Sequence, residues 1–267
     1  MVAFAAPAPA PLPGDVRLMH STANAVFVIA GLALAAAAVL WVTRLPFFAL
    51  KSIRIEGEVA RNSISTIRAN AAPKLAGNFF TLDLQKTRSA FETVPWVRHA
   101  VVRRVWPDRL AVRLEEHHPA ALWAAEDGND KLVNSQGEVF EANVGDVEDE
   151  ALPRLAGPEG SAAAMLALYR RLQPVLVRLD EGDIDELHLS GRGSWRAELE
   201  NGAVVEMGRG SDDEVLARTE RFVRTLAQVT SRYQRPLEYA DLRHPDGYAV
   251  RLKGVTTTVP AAPARRK

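Results

Sequence analysis

The side chains best suited to chemistry in this chain are few and dispersed. It has six histidines, and only His117 and His118 are neighbours. Adjacent residues on a strand point to opposite faces, so that pair does not share a metal ion, and His20, His99, His188 and His244 stand at no ligand spacing. The chain has no cysteine, which removes disulfides, cysteine metal sites and thiol nucleophiles together. There is no G-x-S-x-G, P-loop, G-x-G-x-x-G or H-E-x-x-H motif. Gly208-Arg209-Gly210 stands ahead of a capped helix, where an anion can bind, although a hairpin end running into a helix cap accounts for it equally well. Asp146, Glu148, Asp149 and Glu150 fall in loop-like, solvated sequence. Nothing sets a nucleophile beside a base and an orienting group. These residues imply a non-catalytic interaction protein with no metal, no cofactor and no small-molecule substrate.

Charge points the same way. Lys+Arg and Asp+Glu number 33 each in 267 residues, so no net field draws nucleic acid, although Arg98, Arg103, Arg104, Arg109 and Arg113 crowd one stretch. The Ala/Pro-rich start reads as a disordered tail over residues 1–20. From Leu18 to Thr43 there is no charged residue, and from Ala25 to Val42 every residue is apolar or Gly. Eighteen helical residues rise about 27 Å, close to the hydrocarbon thickness of a bilayer. The expectation is a retained membrane helix over residues 21–44; a signal peptide and a buried alanine-rich helix are the alternatives. Trp41, Phe47 and Phe48 fall where rings favour the interface. Arg17 precedes the segment and Arg44, Lys51 and Arg54 follow it, a balance that on charge alone mildly favours a cytoplasmic C-terminal part.

The rest must position any binding surface. Residues 51–116 read as strand, helix, helix, strand, strand. Ile53 and Ile55 alternate with polar neighbours, Ser63 caps a helix running to Leu75, and a second helix spans about Asp83 to Thr93. Two strands flank Pro107-Asp108, with Leu110, Val112 and Leu114 on the dry face. Beyond Pro119, short strands dominate. Residues 131–142 read as a hairpin turning at Asn134 to Gly137. Trp195, Ala197 and Leu199 alternate into a two-residue Asn201-Gly202 turn, and Val205 and Met207 resume the apolar face. One helix starts near Ser161 and is kinked or ended by Pro174. Another opens with the capping box Ser211 to Glu214 and carries a core stripe of Leu216, Phe222, Val223 and Leu226. The last strands, "LEYADL" and "GYAVRL", are joined by Arg243 to Asp246, and a final strand of this kind often leaves a free edge.

Four stretches, "VPWVRHAVVRRVWPDRLAVRLEEHHPAALW", "LPRLAGPEGSA", "SWRAELENGAVVEMGRG" and "YADLRHPDGYAVRL", occur in the order found in the FtsQ/DivIB family, behind one membrane segment. The chain resembles the proteobacterial form of that family over nearly its whole length. The resemblance implies an α+β chain: a cytoplasmic tail, one inner-membrane helix, a periplasmic POTRA domain at 48–117, a mainly antiparallel β-domain at 118–254 and a disordered tail at 255–267. It implies a non-catalytic divisome scaffold for septum assembly at the division site. Its β-domain would bind the periplasmic parts of FtsB and FtsL by adding a partner strand to its last strand. By position, the contacts fall on Arg192, Tyr239, Arg243, His244, Gly247, Tyr248, Val250 and Leu252. The arginines would meet carboxylates, Gly247 would admit a backbone, and Tyr248 and Leu252 would be apolar anchors. His244 and Leu252 stand where enterobacterial relatives have Tyr and Trp. A recruitment surface on the POTRA domain maps to His99, Val102 and Arg104. Rival readings are a POTRA-containing envelope transport or outer-membrane assembly factor, which predicts repeated modules or a barrel, and a tethered cell-wall enzyme, which needs a catalytic pocket.

Overall fold

A computed structural model describes residues 14–255, except 58, 72, 74, 76, 126, 127, 180, 234, 245 and 246. Residues 1–13 and 256–267, which hold most of both expected tails, and the Pro245-Asp246 part of the last turn lie outside the described residues. The chain is α+β and divides into two units.

The first unit begins with α1 (Gly14–Thr43). Residues 14–20, expected in the tail, are helical instead, and Asp15 in the first turn favours a helix start there. Within Leu18–Thr43 the most apolar 18-residue stretch has a mean hydropathy of 2.6, and none of that stretch is buried, which sets aside the buried-helix alternative. The helix is long and apolar enough to cross a bilayer.

After it come β1 (Ser52–Gly57), α2 (Ile64–Ala71), α3 (Leu84–Glu92), β2 (Val97–Val105) and β3 (Arg109–Glu116). The sheet order is β1-β3-β2, with β1 parallel to β3. The dry face of β3 buries Leu110, Val112 and Leu114, and Ile67 and Phe91 of the helices are buried too. Local chemistry sets the helix ends. The Ser63 hydroxyl accepts from the Thr66 amide at 3.1 Å, and the Asp83 carboxylate accepts from the Gln85 and Lys86 amides. The helix α2 is described over Ile64–Ala71; residues 72 and 74, in the rest of the expected run to Leu75, lie outside the described residues.

The second unit comprises residues 60–62, 95–98 and 116 onward. Its nine strands are β4 (Pro119–Trp123), β5 (Lys131–Asn134), β6 (Val139–Phe140), β7 (Arg154–Ala156), β8 (Ile184–Leu189), β9 (Ser194–Leu199), β10 (Val204–Arg209), β11 (Leu237–Asp241) and β12 (Ala249–Leu252). They form one sheet in the order β12-β11-β10-β9-β8-β7-β4-β5-β6. Most neighbours are antiparallel, but β7 runs parallel to both β4 and β8, and β10 runs parallel to β11. Two helices make the longer crossovers: α4 (Ala162–Leu176) joins β7 to β8, and α5 (Asp212–Tyr233) joins β10 to β11.

Their buried Met165, Leu168, Leu172, Phe222 and Leu226 share a core with Leu155, Leu187, Ala197, Val205 and Ala240 of the sheet. The α5 stripe is therefore core, as its spacing predicts. The α4 helix ends two residues after Pro174. The β9–β10 connection differs from expectation. The Leu199 amide donates to the Ala203 carbonyl at 2.9 Å and the Gly202 amide to the Leu199 carbonyl, so the loop has three residues, with Gly202 at φ +81°. The Asn201 side chain accepts from the Ala203 amide, which locks this longer form.

The conspicuous 94–123 stretch serves this framework. Trp96 is buried, packs edge-on against Phe140 at 5.4 Å and donates its Nε1–H to Asp146. Arg98 grips Glu138 through two hydrogen bonds, and with Asn134 it holds the Glu138 carboxyl at about 2. His117 stacks on Phe140 at 4.0 Å, while His118 is exposed.

Candidate partner-binding edge

The large sheet ends at β12, which among the described residues pairs with β11 alone. Register is set by Leu237–Leu252, Tyr239–Arg251, Ala240–Val250 and Asp241–Ala249, with an irregularity between Leu237 and Tyr239. Just past the strand, the Lys253 amide donates to the Pro236 carbonyl at 3.0 Å. Backbone groups alternate sides along an antiparallel strand, so Arg251 and Ala249 also turn theirs into the sheet. Val250 consequently directs its N–H and C=O outward, and Leu252 its N–H. These are the groups that an added strand needs.

The side chains divide by face. Leu252 is buried in the core at 5 % exposure, so its side chain does not offer the exposed apolar anchor expected from its position. Val250 is half-buried against the same core. Tyr248 is half-buried too; its ring meets Phe222 edge-on at 5.0 Å, and its hydroxyl donates to Thr225 Oγ1 at 2.8 Å. On the opposite face, Arg251 lies 5.8 Å from the centre of the Tyr239 ring and 3.6 Å from Glu238.

Arg243 does not stand free for a partner. It forks onto Asp241, with Nε to Oδ1 at 2.9 Å and Nη2 to Oδ2 at 2.6 Å, and its backbone N–H donates to the same carboxylate. The guanidinium still leaves more than half of its side chain exposed. It holds the Asp241 carboxyl at about 2, and Asp241 in turn raises Arg243. A carboxyl depressed by folding adds stability that is fully present above its unfolded value near 4 and is lost as pH falls toward 2. The stability difference between the protein and Asp241→Asn should thus stay level above about pH 5 and close between about pH 4 and pH 2. Denaturant unfolding across that range checks it; a difference indifferent to pH would show that the pair does not act this way.

Topology gathers the remaining residues. Arg192 sits in the β8–β9 turn, and Ser194 just after it pairs with Arg209 at the end of β10. Because β11 runs parallel to β10, Asp241, Arg243 and His244 leave the sheet at that same end, and Gly247 and Tyr248 re-enter there. Val250 and Leu252 lie along the edge strand itself, and Tyr239 on β11 beside it. His99, Val102 and Arg104 belong to the first unit, on β2. There His99 contacts Arg88 and Glu92, Arg104 donates to the Leu82 carbonyl at 2.6 Å, and Val102 is half-buried.

The sequence reading missed α5's contribution. Arg218, Arg221, Phe222 and Thr225, one stripe of that helix, line a cavity of about 250 Å³ with His244, Gly247 and Tyr248. The i, i+3, i+4, i+7 spacing was the available signal. Arg218 also donates to the Met207 and Arg209 carbonyls around Gly208, where β10 bulges. Gly208 has φ +78°, and a Cβ there would stand 2.8 Å from Arg243 Cγ, so glycine is required beside the site. The α5 N-terminus is filled by its own capping box: Ser211 Oγ accepts from the Glu214 amide, and Glu214 accepts from the Ser211 amide.

Residues 48–117 match the POTRA domain, FtsQ-type, and residues 121–243 match Cell division protein FtsQ/DivIB, C-terminal. The chain is 44 % identical to the cell division protein FtsQ of Burkholderia pseudomallei, over 90 % of this chain and 94 % of the relative. It is 40 % identical to that of Bordetella pertussis, over 89 % and 92 %. With that of Thiomonas arsenitoxydans it shares 36 % identity over 93 % and 91 %. With both matched regions in order behind one candidate membrane helix, the chain belongs to the FtsQ family of cell-division proteins.

Proposed function

We propose that this chain is a non-catalytic scaffold of the division machinery. One helix, within residues 21–44, crosses the inner membrane, with the N-terminus in the cytoplasm and the domains at 48–117 and 118–254 in the periplasm. The β-domain binds the periplasmic parts of FtsB and FtsL, and it takes a strand from FtsB along β12. The observation that carries this reading is the open β12 edge, whose outward Val250 and Leu252 amides stand beside an end of the sheet carrying Arg192, Arg243 and His244. A strand arriving with carboxylates finds free donors and exposed cations together. His99, Val102 and Arg104 on the first unit serve recruitment.

A fluorescent fusion on the cytoplasmic tail, in cells of the source bacterium, tests the reading as a whole. A band at the division site is expected, and an even envelope signal throughout the cell cycle would count against a divisome role. At the residue level, Arg243→Glu should weaken binding of the FtsB periplasmic segment about tenfold, because a charge-assisted contact is replaced by repulsion. Calorimetric titration measures this, and wild-type affinity in the variant would remove Arg243 from the contact.

A further inference from the structure

Three segments far apart in sequence converge at the end of the first unit from which α1 departs. The carbonyl of Thr43, the last residue of α1, accepts from the Asn78 side-chain amide at 2.6 Å, and the Phe48 carbonyl accepts from the Phe79 amide at 2.9 Å. The Phe48 ring meets Phe47 edge-on at 5.1 Å and Phe80 at 4.9 Å. Lys51 ties in the third segment. Its amide donates to the Asp108 carbonyl at 2.9 Å, and its Nζ lies 3.0 Å from the Asp108 carboxylate. The β2–β3 turn carrying Trp106 is thereby held beside the start of β1, a few residues past the end of α1.

What this end exposes is aromatic. Phe47 is 56 % exposed, Phe80 47 % and Trp106 72 %. Single exposed apolar residues need no account, but large rings brought together from three segments do. Exposed cations stand among them: Arg44, Lys51 and Arg109, with Asp108 the carboxylate facing the last two.

We propose that Phe47, Phe80 and Trp106 form a footing that seats the first unit on the bilayer. The rings lie in the headgroup region, and Arg44, Lys51 and Arg109 meet lipid phosphates. This rests on the reading of α1 as a membrane span. Continuity with the span selects lipid as the occupant. A helix that leaves the hydrocarbon near Val42 holds Phe47 and, through Phe48, Phe80 at the interface, the depth that aromatic rings favour. The cations complement phosphate, which gives the positive charge after the span a role on the side opposite to that preferred by the positive-inside rule.

The chain has no cysteine, so single labels are unambiguous. The full chain in vesicles of phosphatidylethanolamine and phosphatidylglycerol would carry an environment-sensitive fluorophore at Val105→Cys beside the footing, at Arg113→Cys or at Ala30→Cys. Arg113 pairs with Glu56 toward the far end of β1, and Ala30 lies within α1. Headgroup nitroxides should quench the Val105 label about twofold or more relative to the Arg113 label, since interfacial rings sit within about 5–10 Å of that layer. Adding Phe80→Ser and Trp106→Ser should bring the Val105 label down to the Arg113 level. Equal quenching at 105 and 113, with the Ala30 label quenched by acyl-chain nitroxides, overturns the footing and leaves the span standing. Undiminished quenching in the doubly substituted chain also overturns it. An Ala30 label untouched by acyl-chain quenchers overturns the span, and the footing with it.

Discussion

Val250→Pro is expected to lower affinity for the FtsB periplasmic segment by about tenfold to a hundredfold while the β-domain stays folded. The asymmetry follows from backbone direction. Lys253 donates inward to Pro236, so Val250, three residues earlier on the alternating strand, donates outward. Proline there removes no bond between β11 and β12. It deletes the donor that an added strand meets and leaves that strand's carbonyl unsatisfied, a cost of about 1–3 kcal/mol. Arg251→Pro is the control. Its amide faces β11, so it should loosen β12 itself and lower the unfolding midpoint. Calorimetry on both variants, with thermal unfolding alongside, separates the two effects. A stably folded Val250→Pro chain that binds at full strength would sink strand addition at this edge.

Phe222→Ala is expected to destabilise the second unit by about 3–5 kcal/mol. Phe222 is 1 % exposed, lies in the main core and also supports the edge, where Tyr248 packs edge-on against it. Truncation leaves a cavity between α5 and the sheet, and the neighbours close it only partly. It also frees Tyr248, which is then held on this side by its hydroxyl bond to Thr225. Denaturant unfolding should show a large fall in midpoint with an unchanged slope. A loss under about 1 kcal/mol would mean that the helix collapses onto the sheet and that Phe222 does not set the position of Tyr248.

Much of this architecture is legible in one dimension because its causes are local. The unbroken apolar run before Thr43, the Ser63 cap, the Ser211–Glu214 box and the alternation through Trp195, Ala197 and Leu199 each depend on residues a few positions apart. Where a local reading erred, a neighbouring residue was the reason: Asn201 drew Ala203 into a longer turn. The three-residue β7 was not legible as a strand. It is too short to show a period, and it exists because β4 and β8 both pair with it in parallel, each from a distant part of the chain.

The candidate site shows the same division. The final strand pattern pointed to a free edge, and position in the family's pattern pointed to Arg243, His244, Tyr248 and Val250. Which strands end the sheet among the described residues depended on the order of nine strands, and so did the placing of Arg192 and Arg243 at one end of it. Leu252 changed from anchor to core residue once its face was set by pairing with Leu237. Arg218 reached the site only through the packing of α5 on β10. Periodicity, capping and turn chemistry act over a few bonds and can be read from the chain. Strand order, an open edge and a shared cavity come from contacts formed only after long loops close, and no local pattern encodes which of the many possible pairings buries the most apolar surface.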